Sequence, residues 1–441
     1  ANISQKTKVL DYDLNYIYYK TDGISEAKDT TGTGNFDKDG FTQHAIQALV
    51  GINVSENLKL SPYYRFSQFK GDYDDGAFAD APNNYTASLL NSGVNGHYNY
   101  RNGSLHFDYA YDFTTRNYAS QYGVFATSGR FHHAEGYVQQ NISGKLKMIA
   151  GISYQAYSMK DPDTSNSIVS PYASFFFSSK NGWNIELGGR YNHHNQYGNN
   201  FTYTFNPSLL INKRVKLFVN VTSGFRAPSI NELFSPFGGN TNLKPEKSAS
   251  QEAGAQALLL NKKLSFTITG FNRTINDVII YGPTYSYENR DKQHDFGAEL
   301  EAAYSPTEKL NLKVSYAYID GKITQVLEGK DTSYFNLVRR PKNTVSLFAG
   351  YQLTKQLYIS SSVQFVGKRT DNLYDPVTYL PSEVSLKGYA MWNMYVEYKI
   401  ENNRISMFAE GKNLLNNRSF YEVYGYAVPG INLTAGLRFK L

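Results

Sequence analysis

The chain contains no cysteine, so neither a disulfide framework nor a thiolate metal site can be built from it. No stretch approaches the roughly 18–20 consecutive apolar residues that a spanning helix needs. The charge is close to balanced: 44 Lys and Arg face 38 Asp and Glu, leaving +6 over 441 residues. No basic stripe with interleaved aromatic residues is present, so nucleic acid is excluded as a partner. Neither G-x-S-x-G nor H-E-x-x-H occurs, which removes two common routes to catalysis, and the chain is read as a non-enzyme. A leader peptide is also lacking at Ala1, so the expectation is a mature or truncated exported chain.

Aromatic residues are abundant, with 38 Tyr and 27 Phe, and the 35 Gly are spread along the chain. The mean hydropathy of -0.49 is polar. A membrane barrel reconciles these facts, because only alternate residues of its strands face lipid and aromatic girdles mark the two interfaces. Period-two segments support this. In Met391–Ile400, Trp392, Met394, Val396, Tyr398 and Ile400 share one face, and Asn393, Glu397 and Lys399 the other. Leu264, Phe266 and Ile268 alternate with Ser265, Thr267 and Thr269, and Leu357, Ile359, Val363 and Phe365 with Tyr358, Ser360, Ser362 and Gln364.

Nine short polar turns punctuate the chain: Ser55-Glu56-Asn57, Arg101-Asn102-Gly103, Ile142-Ser143-Gly144, Lys180-Asn181-Gly182, Asn212-Lys213-Arg214, Asn261-Lys262-Lys263, Pro306-Thr307-Glu308, Thr354-Lys355-Gln356 and Glu401-Asn402-Asn403. Longer polar segments lie between them, such as Thr21–Gly40, Gly71–Tyr85, Tyr281–Asp295 and Asp371–Ser385. Short turns alternating with long loops give the up-and-down outer-membrane pattern, with about 20 strands of roughly 10 residues each. A soluble propeller also repeats every 45 or so residues. Its blades hold four short strands, whereas each unit here holds two long ones, and no WD or kelch pattern recurs. The expected fold is all-β: residues 1–441 form one large antiparallel transmembrane β-barrel, too wide to fill with side chains and therefore a channel or a plugged transporter.

Two motifs carry more. Gly224-Phe225-Arg226-Ala227-Pro228-Ser229-Ile230-Asn231-Glu232-Leu233-Phe234 follows a strand, and Asn240-Thr241-Asn242-Leu243-Lys244-Pro245-Glu246 leads into the next. Together they resemble the FRAP and NPNL boxes of TonB-dependent outer-membrane receptors, with NTNL standing where NPNL is usual. Gly411-Lys412-Asn413-Leu414-Leu415-Asn416-Asn417 agrees, as does a last strand with Leu433, Ala435, Leu437, Phe439 and Leu441 on one face. Within this family the cobalamin receptors are the most similar, through Phe271–Tyr281, Leu337–Lys342, Val423-Tyr424-Gly425-Tyr426 and Asp37–Phe41.

The resemblance implies transport of a scarce, bulky nutrient across the outer membrane of a Gram-negative cell. Cobalamin leads, a ferric siderophore is the alternative, and a passive pore is the alternative of a different class. The family barrel has about 22 strands and carries a plug domain that docks TonB. No plug is recognisable here, and Gln5-Lys6-Thr7-Lys8 resembles the turn before the family's third strand. The expectation is that the plug and the first hairpin are missing from this chain. Implied partners are TonB through that plug, outer-membrane lipids, a small-molecule ligand and a surface lipoprotein.

Asp22, Asp37 and Asp39 lie in the first long loop, and Asp72, Asp74, Asp75 and Asp80 in the second. Carboxylates spaced two apart can converge on a hard cation that takes six to eight oxygens. The resemblance implies calcium, at Asp22, Asp37, Asp39 and Asp74. Tyr73, Tyr285 and Tyr287 are candidate ligand contacts, because tyrosine offers area and a hydroxyl at low entropic cost. The adjacent pairs His132-His133 and His193-His194 cannot each chelate one ion from a regular strand, since neighbours point to opposite faces. No His falls between Arg226 and Leu243, where the family's haem receptors usually carry a ligand, which argues against haem.

Overall fold

The computed structural model describes residues 1–32, 34–282, 284–327, 330–334, 338–374, 381–400 and 404–440, with backbone alone at 325–327, 330–334, 374 and 381. By compactness the chain divides into two units. One is Ala1–Pro207 with Val221–Ala249 and Asn276–Arg290, the other Ser208–Asn220 with Ser250–Ile275 and Asp291–Leu441.

In the first unit, β1 (Asn2–Lys6), β2 (Leu10–Thr21), β3 (Phe41–Asn53), β4 (Leu58–Tyr73), β5 (Asn83–Tyr100), β6 (Gly103–Ser120), β7 (Gly123–Asn141), β8 (Leu146–Met159), β9 (Thr164–Ser178) and β10 (Trp183–His194) run in sequence. Each pairs antiparallel with the next. The register keeps the two faces apart. Phe66, Leu90 and Phe113 lie opposite one another across β4 to β6, while Arg65, Asn91 and Asp112 line up on the other face. A slip of one residue would put every aspartate of the polar face into lipid, so the alternation itself holds the register.

β11 (Gly198–Ile211), β12 (Val215–Arg226), the single-turn helix α1 (Ile230–Phe234), β13 (Glu246–Leu259), β14 (Leu264–Tyr281) and β15 (Tyr287–Thr307) follow. In the second unit come β16 (Leu310–Leu327), β17 (Lys330–Tyr334), β18 (Asn343–Gln352), β19 (Leu357–Val366), β20 (Arg369–Tyr374), β21 (Pro381–Leu386), β22 (Tyr389–Ile400), β23 (Ile405–Lys412) and β24 (Asn432–Phe439). β16 pairs with β18 along Leu310–Tyr318 and with the short β17 along Ile323–Leu327. Across β19 and β22, Leu357, Ile359 and Val363 face Tyr398, Val396 and Trp392, as the period-two reading requires. Asn413, of the Gly-Lys-Asn-Leu-Leu-Asn-Asn motif, is 2% exposed and has φ 48. Its amide donates to Asn417 O and Pro429 O at 3.0 Å each, and its carbonyl oxygen accepts from Asn417 N at 3.0 Å. The motif is thus the clasp of the connection between β23 and β24.

β2 to β16 with β18, β19, β22, β23 and β24 are the 20 strands the turns imply, and the structure adds a short β1, the accessory β17 and the β20–β21 hairpin. Eight of the nine turns join consecutive strands; Asn212 and Lys213 adopt φ 49 and 56, the left-handed geometry a tight hairpin demands. The ninth, Glu401-Asn402-Asn403, lies outside the described residues, as do Leu337 and Leu441.

The strands depart from expectation in length. β15 has 21 residues and β7 has 19, about twice the 9–11 that cross a bilayer. Accordingly, β4 runs to Tyr73 and β5 begins at Asn83, so the Gly71–Tyr85 loop shrinks to 74–82. The Tyr281–Asp295 loop shrinks to 282–286, and 371–374 and 381–385 are paired strand rather than loop. A strand with water on both faces loses the apolar alternation, so polar β-extensions read as loops.

Candidate functional site

The loops on the side away from the tight turns bring two kinds of carboxylate together. In the loop 22–40, Gly23 has φ +69, and a Cβ there would lie 1.8 Å from Asp39 O. Only glycine allows this fold-back, which Asp39 N completes by donating to Ile24 O at 3.2 Å. The loop is stitched to 74–82 by Asp74, which is 5% exposed. Its Oδ2 accepts from Ala27 N at 2.6 Å and Ser25 Oγ at 3.2 Å, and its Oδ1 from Ala81 N at 2.9 Å. Asp80 Oδ1 accepts from Asp37 N at 3.0 Å. One carboxylate oxygen from each of Asp37, Asp74 and Asp80 lies within 4.8 Å of the others.

Asp39 adjoins this group. It is 9% exposed; Oδ2 accepts from Glu26 N at 2.5 Å, while Oδ1 is buried without a hydrogen-bond partner. Burial pushes the Asp39 carboxyl up to about 6, against the pull of the Glu26 amide and helped by the charges of Asp74 and Glu26. Asp37 is also raised, by burial and then by Asp80, Asp74 and Asp72, and Glu26 by burial and Asp74. Among the described residues no ion pair includes any of these carboxylates. A buried anionic oxygen with no donor and no counter-ion is costly, and a cation bound at this place would relieve it. The arrangement fits a hard divalent ion.

Of the four predicted metal ligands, the structure gathers Asp37 and Asp74, sets Asp39 against Asp74, and leaves Asp22 exposed and outside the group. Asp80 takes the remaining position. It is six residues from Asp74, so spacing alone did not single it out. Among the described residues no histidine belongs to such a group. His132 bonds Tyr109 and His133 reaches Ser153 on the opposite face, while His193 bonds Asn199 and His194 accepts from Gln196 N.

The second carboxylate group is built on the first of the two long motifs. Ser229 caps α1 in a reciprocal capping box with Glu232. Arg226, at the end of β12, donates from Nε to Glu246 at 2.7 Å and from Nη1 to both Glu232 oxygens at 3.0 and 2.9 Å. Glu246 Oε1 in turn accepts from Ile279 N at 2.7 Å, tying in the end of β14. Burial alone would raise Glu232, but the Arg226 guanidinium and the Ser229 amide hold it below the usual carboxylate range. Asn240 forms the next clasp: its Nδ2 donates to Tyr287 O at 2.9 Å and its Oδ1 accepts from Asn242 N at 2.9 Å. Leu243 is buried, and Asn289 brackets Lys244 through both backbone groups. Sequence analysis placed these residues only between two strands; the acidic Glu232 and Glu246 on either side of the motif's turn from Arg226 were the signal for the lock.

The three candidate ligand tyrosines fall into two groups. Tyr73 packs with Tyr85 and Tyr118, ring centroids 6.4 and 5.9 Å away. Tyr287 meets Tyr281 edge-on at 5.1 Å, closing the hairpin that carries Tyr285 at φ 58. Gly238, φ +87, lets that hairpin dock: a Cβ there would lie 2.0 Å from Tyr285 O. Between the Arg226–Asn231 segment and β6 to β10 lies a cavity of about 720 Å³, lined among others by Arg116, Phe131, Gln155, Tyr157 and His194. Its size is that of a ligand pocket, and it is separate from the acidic group.

Residues 5–414 match the family model described as TonB dependent receptor-like, beta-barrel. The chain is 26% identical over 354 residues to a vitamin B12 transporter, BtuB, of Photobacterium profundum, covering 76% of this chain and 56% of that protein. It therefore spans little more than half of that relative's length. Its fold is similar to that of the siderophore receptor PirA from Acinetobacter baumannii, with a TM-score of 0.83, 15% identity, and coverage of 99% of this chain and 76% of that one. It also resembles a mutant of the ferric enterobactin receptor PfeA from Pseudomonas aeruginosa, with a TM-score of 0.79, 18% identity and coverage of 98% and 75%.

Proposed function

The chain belongs to the TonB-dependent receptor-like β-barrel family, and on that premise we propose that it is the barrel of an energised importer for a scarce, bulky nutrient, with cobalamin as the cargo. It resides in the outer membrane of a Gram-negative cell. The barrel performs no chemistry. Its loops capture the ligand, and TonB, acting through a plug domain, opens the path. A lumen too wide to fill with side chains needs such a plug to keep the membrane tight.

The observation that carries the cargo is the acidic group joining the loops 22–40 and 74–82. Three carboxylates that gather within 4.8 Å, beside the orphaned Asp39 oxygen, fit calcium. Asp37, Asp74 and Asp80 would hold the ion, with Asp39 as a fourth donor. Calcium there would neutralise the charge, bind the two loops together and so present the Tyr73–Tyr85–Tyr118 cluster and the Tyr285 hairpin in one conformation to the ligand. The similarity to a vitamin B12 transporter supports the same cargo.

A ferric siderophore is the second reading, favoured by the siderophore receptors among the structural relatives. A ligand panel separates the two. Full-length receptor is titrated with cyanocobalamin and with ferric siderophores, with and without calcium. Saturable cyanocobalamin binding that tightens with calcium is expected. Binding of a ferric siderophore alone, indifferent to calcium, would replace the cargo. A steady large conductance from the full-length protein in planar bilayers would replace the importer with a pore.

A further inference from the structure

His97 of β5 and His106 of β6 are direct cross-strand partners beside the tight turn Arg101-Asn102-Gly103. Both belong to the polar face that carries Asn91 and Asp112, and both are half-buried. Side chains directly opposite one another on one face stand about 5 Å apart at Cβ, so two imidazoles placed here must meet. They meet through like atoms. Nδ1 of His97 lies 3.2 Å from Nδ1 of His106, with the rings crossed at 67°.

Each ring is oriented through its other nitrogen. His97 Nε2 lies 2.8 Å from Asn99 Oδ1. An amide oxygen only accepts, so Nε2 carries the ring proton and Nδ1 keeps a bare lone pair. His106 Nε2 lies 2.8 Å from Oγ of the buried Ser104, and the His106 ring is stacked on Tyr137 at 3°, centroids 4.3 Å apart. Metal-binding imidazoles are held in this way, with one nitrogen on a protein partner and the other free for the ion. A proton between the two Nδ1 atoms gives an ordinary hydrogen bond, but it requires Ser104 to donate to His106. A metal ion lets both rings donate from Nε2 and both Nδ1 atoms bind. Two nitrogens sit roughly 3.3 Å apart on a tetrahedral zinc ion and about 3.0 Å apart at a right-angled site. The observed spacing falls between these.

The surroundings suit a cation. Lys59, opposite His97 on β4, turns its ammonium to Asp11 at 3.0 Å. In the next row of the same face Asp108 lies opposite Glu135. Glu135 meets Arg190 only at 3.9 Å, and Asp108 enters no ion pair among the described residues. Among the described residues no third carboxylate or imidazole completes the set, so a bound ion keeps open positions.

We propose that His97 and His106 form a two-histidine clip for a borderline divalent transition ion, zinc or copper. Ligand softness separates it from the acidic group in the loops: imidazole takes late transition metals, whereas carboxylates alone suit hard ions such as calcium. The bound ion staples β5 to β6 beside their turn and turns its open positions away from the strands. The clip goes beyond the import reading and does not depend on the cargo.

The test uses the untagged full-length receptor in detergent, with calcium in excess so that the acidic group is occupied, and at a pH above the histidine titration range. Zinc, copper and magnesium chlorides are titrated by calorimetry, and heat-modifiable gel migration verifies that each variant is folded. The wild type is expected to bind zinc, to bind copper more tightly, and to give no response to magnesium at the same concentrations. H97Q/H106Q should lose the zinc response. Asn99→Ala keeps both ligands and removes only the partner behind His97, and should weaken zinc about tenfold. His133→Gln, on the same face but directed at Ser153, should match the wild type. Anomalous diffraction at the zinc edge from wild-type crystals soaked in zinc should place an ion bonded to both Nδ1 atoms. Undiminished zinc binding by folded H97Q/H106Q, or an anomalous map with no ion between the two rings, overturns the clip. If the double variant does not fold, Asn99→Ala and the diffraction experiment decide, and zinc affinity in Asn99→Ala equal to the wild type counts against the clip. None of these readouts involves the cargo, so failure here leaves the import reading untouched.

Discussion

Two carboxylate groups sit at the loop side of the first unit, and they solve the same electrostatic problem in opposite ways. Glu232 and Glu246 enclose Arg226 and are neutralised by it, so Glu232 stays ionised and the segment 227–245 is locked without help. Asp37, Asp39, Asp74 and Asp80 enclose nothing, and Asp37 and Asp39 are pushed toward the protonated form. A group that carries its own counter-ion is a structural fastening. One that lacks it is a receptor for a counter-ion, and its order depends on what the medium supplies.

The largest effect should come from Arg226→Ala. Both glutamates would be left partly buried and unpaired, which costs about 2 kcal/mol once the exposure of Arg226 is allowed for. Hydrogen exchange in 227–245 and 282–286 should then accelerate about 30-fold, with 22–40 unchanged. Equal acceleration in both regions would erase the distinction. A chelator should do the reverse, raising exchange in 22–40 and 74–82 about tenfold relative to calcium at ten times its dissociation constant and sparing 227–245.

The pH dependence should be of similar size. Asp39 titrates near 6 in the folded chain, above its ordinary value of 3.8, so the folded loops bind the extra proton. Without calcium their stability is greatest at low pH and falls as pH rises through that window. Calcium must displace the proton, so its affinity should drop about tenfold from pH 7 to pH 5, measurable by calorimetry. A flat profile would mean that Asp39 is not in the site. Smallest should be the contrast among ligands. Asp80→Asn should weaken calcium about fivefold, and Asp22→Asn less than twofold. A larger loss at Asp22 would return the ligand set to the one the family resemblance implies.

Much of the fold was legible because lipid imposes a simple rule on alternate residues. The pairs Leu357/Tyr398, Ile359/Val396 and Val363/Trp392 meet as their period-two pattern requires, and eight of the turns fall where Asn, Gly and Lys clusters mark them. The same rule hid the strand ends. β4 beyond Lys70 and β15 before Asp295 continue with residues polar on both faces, such as Asp72, Asn289, Arg290, Asp291, Lys292 and Gln293, so no apolar alternation marks them.

The sequence by itself determined the alternating antiparallel strands, their turns, and the two acidic loops, because each follows from local chemistry: turn geometry, and a solvent that differs on the two faces of a strand. Only the tertiary structure decided which aspartates meet. Asp37 N donates to the Asp80 carboxylate across 43 positions of sequence, and the Asp74 carboxylate accepts from Ala27 N across 47. Asp22 shares the loop of Asp37 yet stays outside the group. Convergence of carboxylates from two loops depends on the fold-back at Gly23 and on strand register, and neither is written in the spacing of the aspartates.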